Sequence, residues 1–232
     1  MILGSDRARV ADGQVAQTLR SAVYPAEIQR MTYDLHDTMG FKYSSDTIDD
    51  NAKALGNLYR LVTDLSNSGG VNLIVFVMKR GKFTRTLHQN YSLVHRGLFD
   101  SKVPIVIIVT GCEDVEPTMD TWWIENEPSF TLSGMSFADH ACVCAFNGPT
   151  TSSGGVRFNE DLFKASVDVV RKLLVQHCMS DGWKNVRYSY SDRLQDSLKV
   201  LNLTAGWTTA IPLASATLSP LLENNTYLPQ PL

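Results

Sequence analysis

Charge is scarce in this chain, and long apolar runs are missing. Only 19% of the 232 residues are charged, and 21 basic against 24 acidic residues leave a formal charge of −3. A nucleic-acid surface would carry a basic excess, and none is present. The longest apolar runs, such as Val103 to Val109, fall far short of the ~20 residues that cross a bilayer. The first ten residues carry charge and no apolar core, which predicts no signal peptide. Cysteine is confined to positions 112, 142, 144 and 178. Cys142 and Cys144 share one strand face at period two, and no second pair completes a metal set. The pattern predicts reduced, mostly buried thiols in a cytoplasmic protein. The sequons at Asn90, Asn202 and Asn224 mean little without a secretory signal, and no internal repeat is evident.

What is there is apolar content, 44% of the residues, in a length that suits one α/β domain or a domain plus a tail. Residues 1–22 are polar and weakly patterned. Ala26 to Leu35 reads as one or two strands ending at His36-Asp37. From Asp46 to Leu65 the spacing of Ile48, Ala52, Leu55, Leu58, Leu61, Val62 and Leu65 predicts a helix, broken by Ser66 to Gly70. Val71 to Met78 and Val103 to Val109 are near-continuous apolar runs, the signature of parallel strands buried on both faces. Thr86 to Phe99 is a candidate helix between them. Phe137 to Phe146 is a third strand candidate, and Leu162 to Cys178 a strongly amphipathic helix. This alternation predicts a doubly wound α/β sheet. From about Gly182 the period is lost, and only a short helix around Asp192 to Leu203 is expected in a loosely ordered tail.

Ligands of such sheets bind at the carboxyl ends of the strands. The residues there are Asp37-Thr38-Met39-Gly40-Phe41, then Thr110-Gly111-Cys112-Glu113-Asp114, then Asn147-Gly148. Each has a use in a guanine-nucleotide site. An Asp can hold Mg²⁺ through water. A glycine lets a backbone N–H approach a γ-phosphate. A carboxylate accepts from guanine N1–H and the exocyclic amine, and an Asn amide serves the carbonyl edge. Each also has a bland reading: a strand-end turn, a helix start that favours acids, and a common Asn-Gly turn. Lys79, Arg80 and Lys82 suit a solvated loop or a phosphate contact. Trp122 and Trp123 suit a lid or the core. His36 suits a phosphate-side donor or a structural role.

With Gly81-Lys82-Phe83-Thr84, Trp122-Trp123, His140-Ala141-Cys142 and Cys144-Ala145-Phe146-Asn147 added in order, the sequence resembles the P-loop GTPases. It resembles the immunity-associated, GIMAP-type branch, and more nearly still the fungal G-domain-containing proteins. The resemblance covers roughly residues 1–180, a partial G domain, with 181–232 as the tail. It implies GTP or GDP bound with Mg²⁺. Asp37 and Thr18 would stand at the metal, Gly40 near the γ-phosphate, and Glu113 or Asp114 at guanine. Thr110 or Gly111 would open the base-specificity motif, and Asn147 would contact the base edge. It also implies a guanine nucleotide as partner, and a homodimer or another protein at the nucleotide face.

The family's first element is a strand, G-x-x-x-x-G-K-[ST] and a helix, whose backbone N–H groups wrap the phosphates. No such motif occurs, and Ser152 to Gly155 lacks the Lys. The expectation is therefore a P-loop NTPase-like, mostly parallel sheet lacking its first strand, Walker A loop and first helix. Nucleotide binding would be weak or lost, and the alternative is a degenerate interaction module on the same scaffold. Phe41 stands where many small GTPases keep a water-orienting Gln, so this chain alone is expected to be inactive as a GTPase.

Overall fold

The computed structural model describes residues 22–38, 48–148 and 159–184. Thr18, Gly40, Phe41, Ser152 to Gly155 and the expected tail helix around Asp192 to Leu203 lie outside the described residues.

The first apolar stretch is two strands, β1 (Ala22–Ile28) and β2 (Met31–Asp37), paired antiparallel with Ile28 opposite Met31. Gln29 and Arg30 make the turn at φ 51° and 65°. Positive φ at both positions matches the twist of a two-residue hairpin loop. Helix α1 (Ile48–Ser68) starts within two residues of the expected position and buries Leu55, Tyr59 and Val62.

Strands β3 (Ile74–Lys79), β4 (Ile105–Thr110) and β5 (His140–Val143) form a parallel sheet in that order. Between the first two lies α2 (Arg85–Tyr91), which continues as a π-helical stretch, Ser92–Leu98. The expected third strand, Phe137 to Phe146, shrinks to β5. The Cys144 N–H leaves the ladder to donate to Ser166 Oγ at 3.0 Å, which ends the strand. The Cys144 N–H is thereby turned toward α4 (Glu160–His177).

Alternation along β4 sorts the core. Ile105, Ile107 and Val109 face Tyr91, Trp122, Trp123 and Phe130. Val106 and Ile108 face Val170, Leu173 and Leu174 of α4. The Trp pair sits on α3 (Thr121–Leu132), a helix that periodicity does not reveal; Pro128 has no N–H to give the Ile124 carbonyl. Helices thus cover both faces of a three-stranded parallel sheet, and the fold is mixed α/β.

The larger, mostly parallel sheet expected from sequence does not form among the described residues. The hairpin shares no ladder with β3–β5. It lies on the α4 face instead, where Ala26, Ile28, Tyr33 and Leu35 pack with Val106, Ile108 and Val75. Strand β3 is consequently an edge among the described strands. The Ile74 and Arg80 N–H groups donate to Pro104 and Thr110 on the β4 side, so the intervening Val75 and Val77 amides point away from β4.

The chain stays attached through Trp183. Its backbone exchanges hydrogen bonds with Val71, both at 2.9 Å, and its ring meets Phe99 edge-on. Gly70, at φ 94°, admits this crossing because any Cβ would strike the Gly182 backbone. No helix among the described residues is long and apolar enough to cross a membrane.

Candidate functional site

The carboxyl ends of β3, β4 and β5 gather the loops singled out by sequence. After β3 the Arg80 N–H donates to the Thr110 carbonyl at 2.8 Å. After β4, Gly111 turns the chain at φ 78°, and Lys79 lies over it, its Cγ and Cε 3.7 Å from where a Cβ would stand. The Cys112 N–H then donates to the Val143 carbonyl at 3.3 Å, tying the loop to β5. Thr110, expected to open the base-specificity motif, donates its hydroxyl to the Met78 carbonyl at 3.3 Å.

Of the two candidate base-reading acids, Asp114 is engaged. Arg80 Nη2 donates to both its oxygens, at 2.7 and 2.9 Å, and this holds the Asp114 carboxyl below the usual range. Glu113 is exposed.

The loop after β5 is anchored by Ser166, a fully buried residue of α4. Its Oγ accepts from the Cys144 N–H and donates to the Leu162 carbonyl at 2.7 Å. The Cys144 thiol donates to the Phe146 carbonyl at 3.1 Å. Burial and the nearby Glu113 charge push that thiol's pKa up, against hydrogen bonds from Phe146 and Asn159. Asn147 follows with its Oδ1 buried and without a partner among the described residues. An acceptor left so costs about 1–3 kcal/mol.

The phosphate half of the expected site is not assembled among the described residues. Asp37 is exposed at the end of the separate hairpin, paired in register with Ala22. Thr18 and Gly40 lie outside the described residues. No group of three or more His, Cys, Asp or Glu side chains stands together among the described residues as a metal would require. Asp37 alone does not meet the needs of Mg²⁺.

Other motif residues serve the fold. Thr84 is the N-cap of α2, its Oγ1 accepting from Leu87 N–H at 3.2 Å, and Phe83 packs edge-on against Phe130 at 5.6 Å. Trp122 and Trp123 are core residues, and Trp123 stacks on His140 at 5.0 Å. All four cysteines are unbridged. A hydrogen bond from Cys142 lowers the pKa of Cys112 and raises its own.

At the opposite end of the sheet, Asp139 joins β5 to the last turn of α4. It accepts from the His140 backbone N–H at 2.8 Å and meets His177 Nε2 at 2.9 Å. Burial pushes the Asp139 carboxyl up, but these partners outweigh it and hold the group below its usual range.

Sequence reasoning overlooked the Arg80–Asp114 pair and the exposed Phe146. The first pairs residues 34 apart, which no local pattern announces. The second hides in an apolar run that reads as strand. No protein-family model and no curated protein matches the chain.

Proposed function

We propose that the chain is a guanine-nucleotide-binding protein of the P-loop GTPase type that keeps the base-recognition end of the site. Nucleotide binding is weak because no phosphate loop is present in the sequence. The observation that carries the reading is the base end itself. An exposed carboxylate, Glu113, and a buried acceptor, Asn147 Oδ1, with no partner among the described residues, stand in loops at the carboxyl end of a parallel sheet. The carboxylate suits the N1–H and exocyclic amine of guanine. The chain by itself hydrolyses no GTP at an appreciable rate, since it lacks the phosphate-cradling loop and a Gln after Gly40.

A thermal melt with millimolar GDP or GTP and Mg²⁺ tests this. Ligand at ~100 times its dissociation constant adds about 2.7 kcal/mol, enough to move the midpoint clearly. A shift with guanine but not adenine nucleotides, lost in Glu113→Ala, is the expected result. A cooperative melt that no nucleotide moves overturns the reading.

A second reading has its own observation. Arg80 pairs with Asp114, and β3 is an apolar edge among the described strands, as suits a scaffold that binds a protein and not a nucleotide. That degenerate interaction module predicts the unshifted melt.

A further inference from the structure

We propose that Phe146 is the platform on which the planar base of the bound nucleotide stacks. The inference rests on the nucleotide reading above and adds the contact that would set base affinity. Among the described residues the large aromatic side chains are buried or half-buried, with one exception. Phe146 is 63% exposed. Its position does not follow from a slack loop. The residue is held through its carbonyl by the Cys144 thiol, and Cys144 is held by buried Ser166.

Phe146 precedes Asn147, whose Oδ1 lacks a partner among the described residues, and Glu113 is near enough to perturb the Cys144 thiol. A base held by Glu113 and Asn147 along its edges still needs a face to lie on. The start of the loop after β4 supplies no aromatic face: Gly111 has no side chain and Cys112 is fully buried. Stacking on an exposed ring is favourable for any purine, because each presents a π-face. In this arrangement Phe146 supplies affinity for a planar base, and the two polar groups supply the choice of guanine.

The test is calorimetric titration of GDP with Mg²⁺ into the full chain and into Phe146→Leu and Phe146→Trp. Leu keeps apolar bulk without a π-face, and Trp keeps the face. The expected result is binding by the unaltered chain, binding weakened about tenfold or more in Phe146→Leu, and binding retained in Phe146→Trp. Melting temperatures without ligand should match, because the ring is mostly in water. GDP should also bind the unaltered chain more tightly than ribose 5-phosphate does, and Phe146→Leu should narrow that gap. If the unaltered chain and Phe146→Leu bind GDP equally, the stacking role is wrong and the nucleotide reading stands. If the unaltered chain binds no GDP at millimolar concentration, both are wrong.

Discussion

Strands β3 and β4 are written in almost the same letters. LIVFVM and IVIIV are both apolar, β-branched runs, and either suits a strand buried on two faces. Only β4 is one. Val106, Ile107 and Val109 are fully buried, whereas Val77 of β3 is 61% exposed and its neighbours are half-buried. The difference lies in what flanks each strand. β4 has β3 on one side, β5 on the other, and helices on both faces. β3 has a hydrogen-bonded neighbour on one side only among the described strands. Burial is a property of the neighbourhood, and an apolar run only makes it possible.

The largest expected effect breaks the comparison directly. Ile107→Ala empties a site in the middle of the sheet and should cost about 2–5 kcal/mol in a denaturant melt. Val77→Ala should stay within ~0.5 kcal/mol. Equal losses would mean that β3 is covered in solution. Amide exchange reads the same contrast residue by residue: Val75 and Val77 N–H groups should exchange faster than those of Phe76 and Met78.

Next in size is the anchor that joins β5 to α4. Ser166→Ala removes the acceptor of the buried Cys144 N–H and should cost about 1–3 kcal/mol. Proteolysis or exchange should locate the loosening in the loop after β5, and leave the β3 edge as it was.

A pH effect of intermediate size involves His95, buried in the π-helical stretch that leads toward β4. Burial, with the adjacent Arg96 charge, lowers its pKa below the ordinary 6.5, against a hydrogen bond to the Val103 carbonyl. The unfolded chain therefore takes up a proton at higher pH than the native one. Stability should fall as pH drops below about 6.5 and level off below the native value. His95→Gln should flatten that part of the profile. Asp139 acts lower on the scale: its depressed carboxyl stabilises the fold at neutral pH, a contribution lost as pH falls below about 3.8.

The smallest effect belongs to the surface pair across the β3 and β4 loops. Arg80→Ala should leave the melt unchanged, since both partners are solvated. By NMR titration the Asp114 carboxyl should move up toward its ordinary 3.8. If instead the melt drops, this pair clamps the edge strand to the core.

Much of the fold was legible because periodicity reports burial. Helix α1 followed from its apolar stripe, α4 from its amphipathic spacing, and β4 from a run with no polar break. Helix α3 was not legible, because Trp122, Trp123 and Phe130 face the core from a segment broken by Pro128 and two glutamates. The end of β5 was not legible either, because Ser166, 22 residues on, takes its next amide. At the candidate site, Glu113, Asp114 and Asn147 were visible as residue types at strand ends. Which acid stays free was invisible, since it depends on Arg80 reaching across from another loop. Asp37 was read as a neighbour of those loops, yet its hairpin pairs only with itself among the described strands.

By itself, then, the sequence determined local conformation: where the chain is helical or extended, which stripe is apolar, and which polar residues fall at strand ends. These follow from spacing along a few neighbouring residues. Only the tertiary structure decided which apolar strand is central, which carboxylate is neutralised, and which aromatic ring is left in water. Those outcomes depend on contacts between residues far apart in the chain, and no local pattern encodes which of several compatible partners arrives.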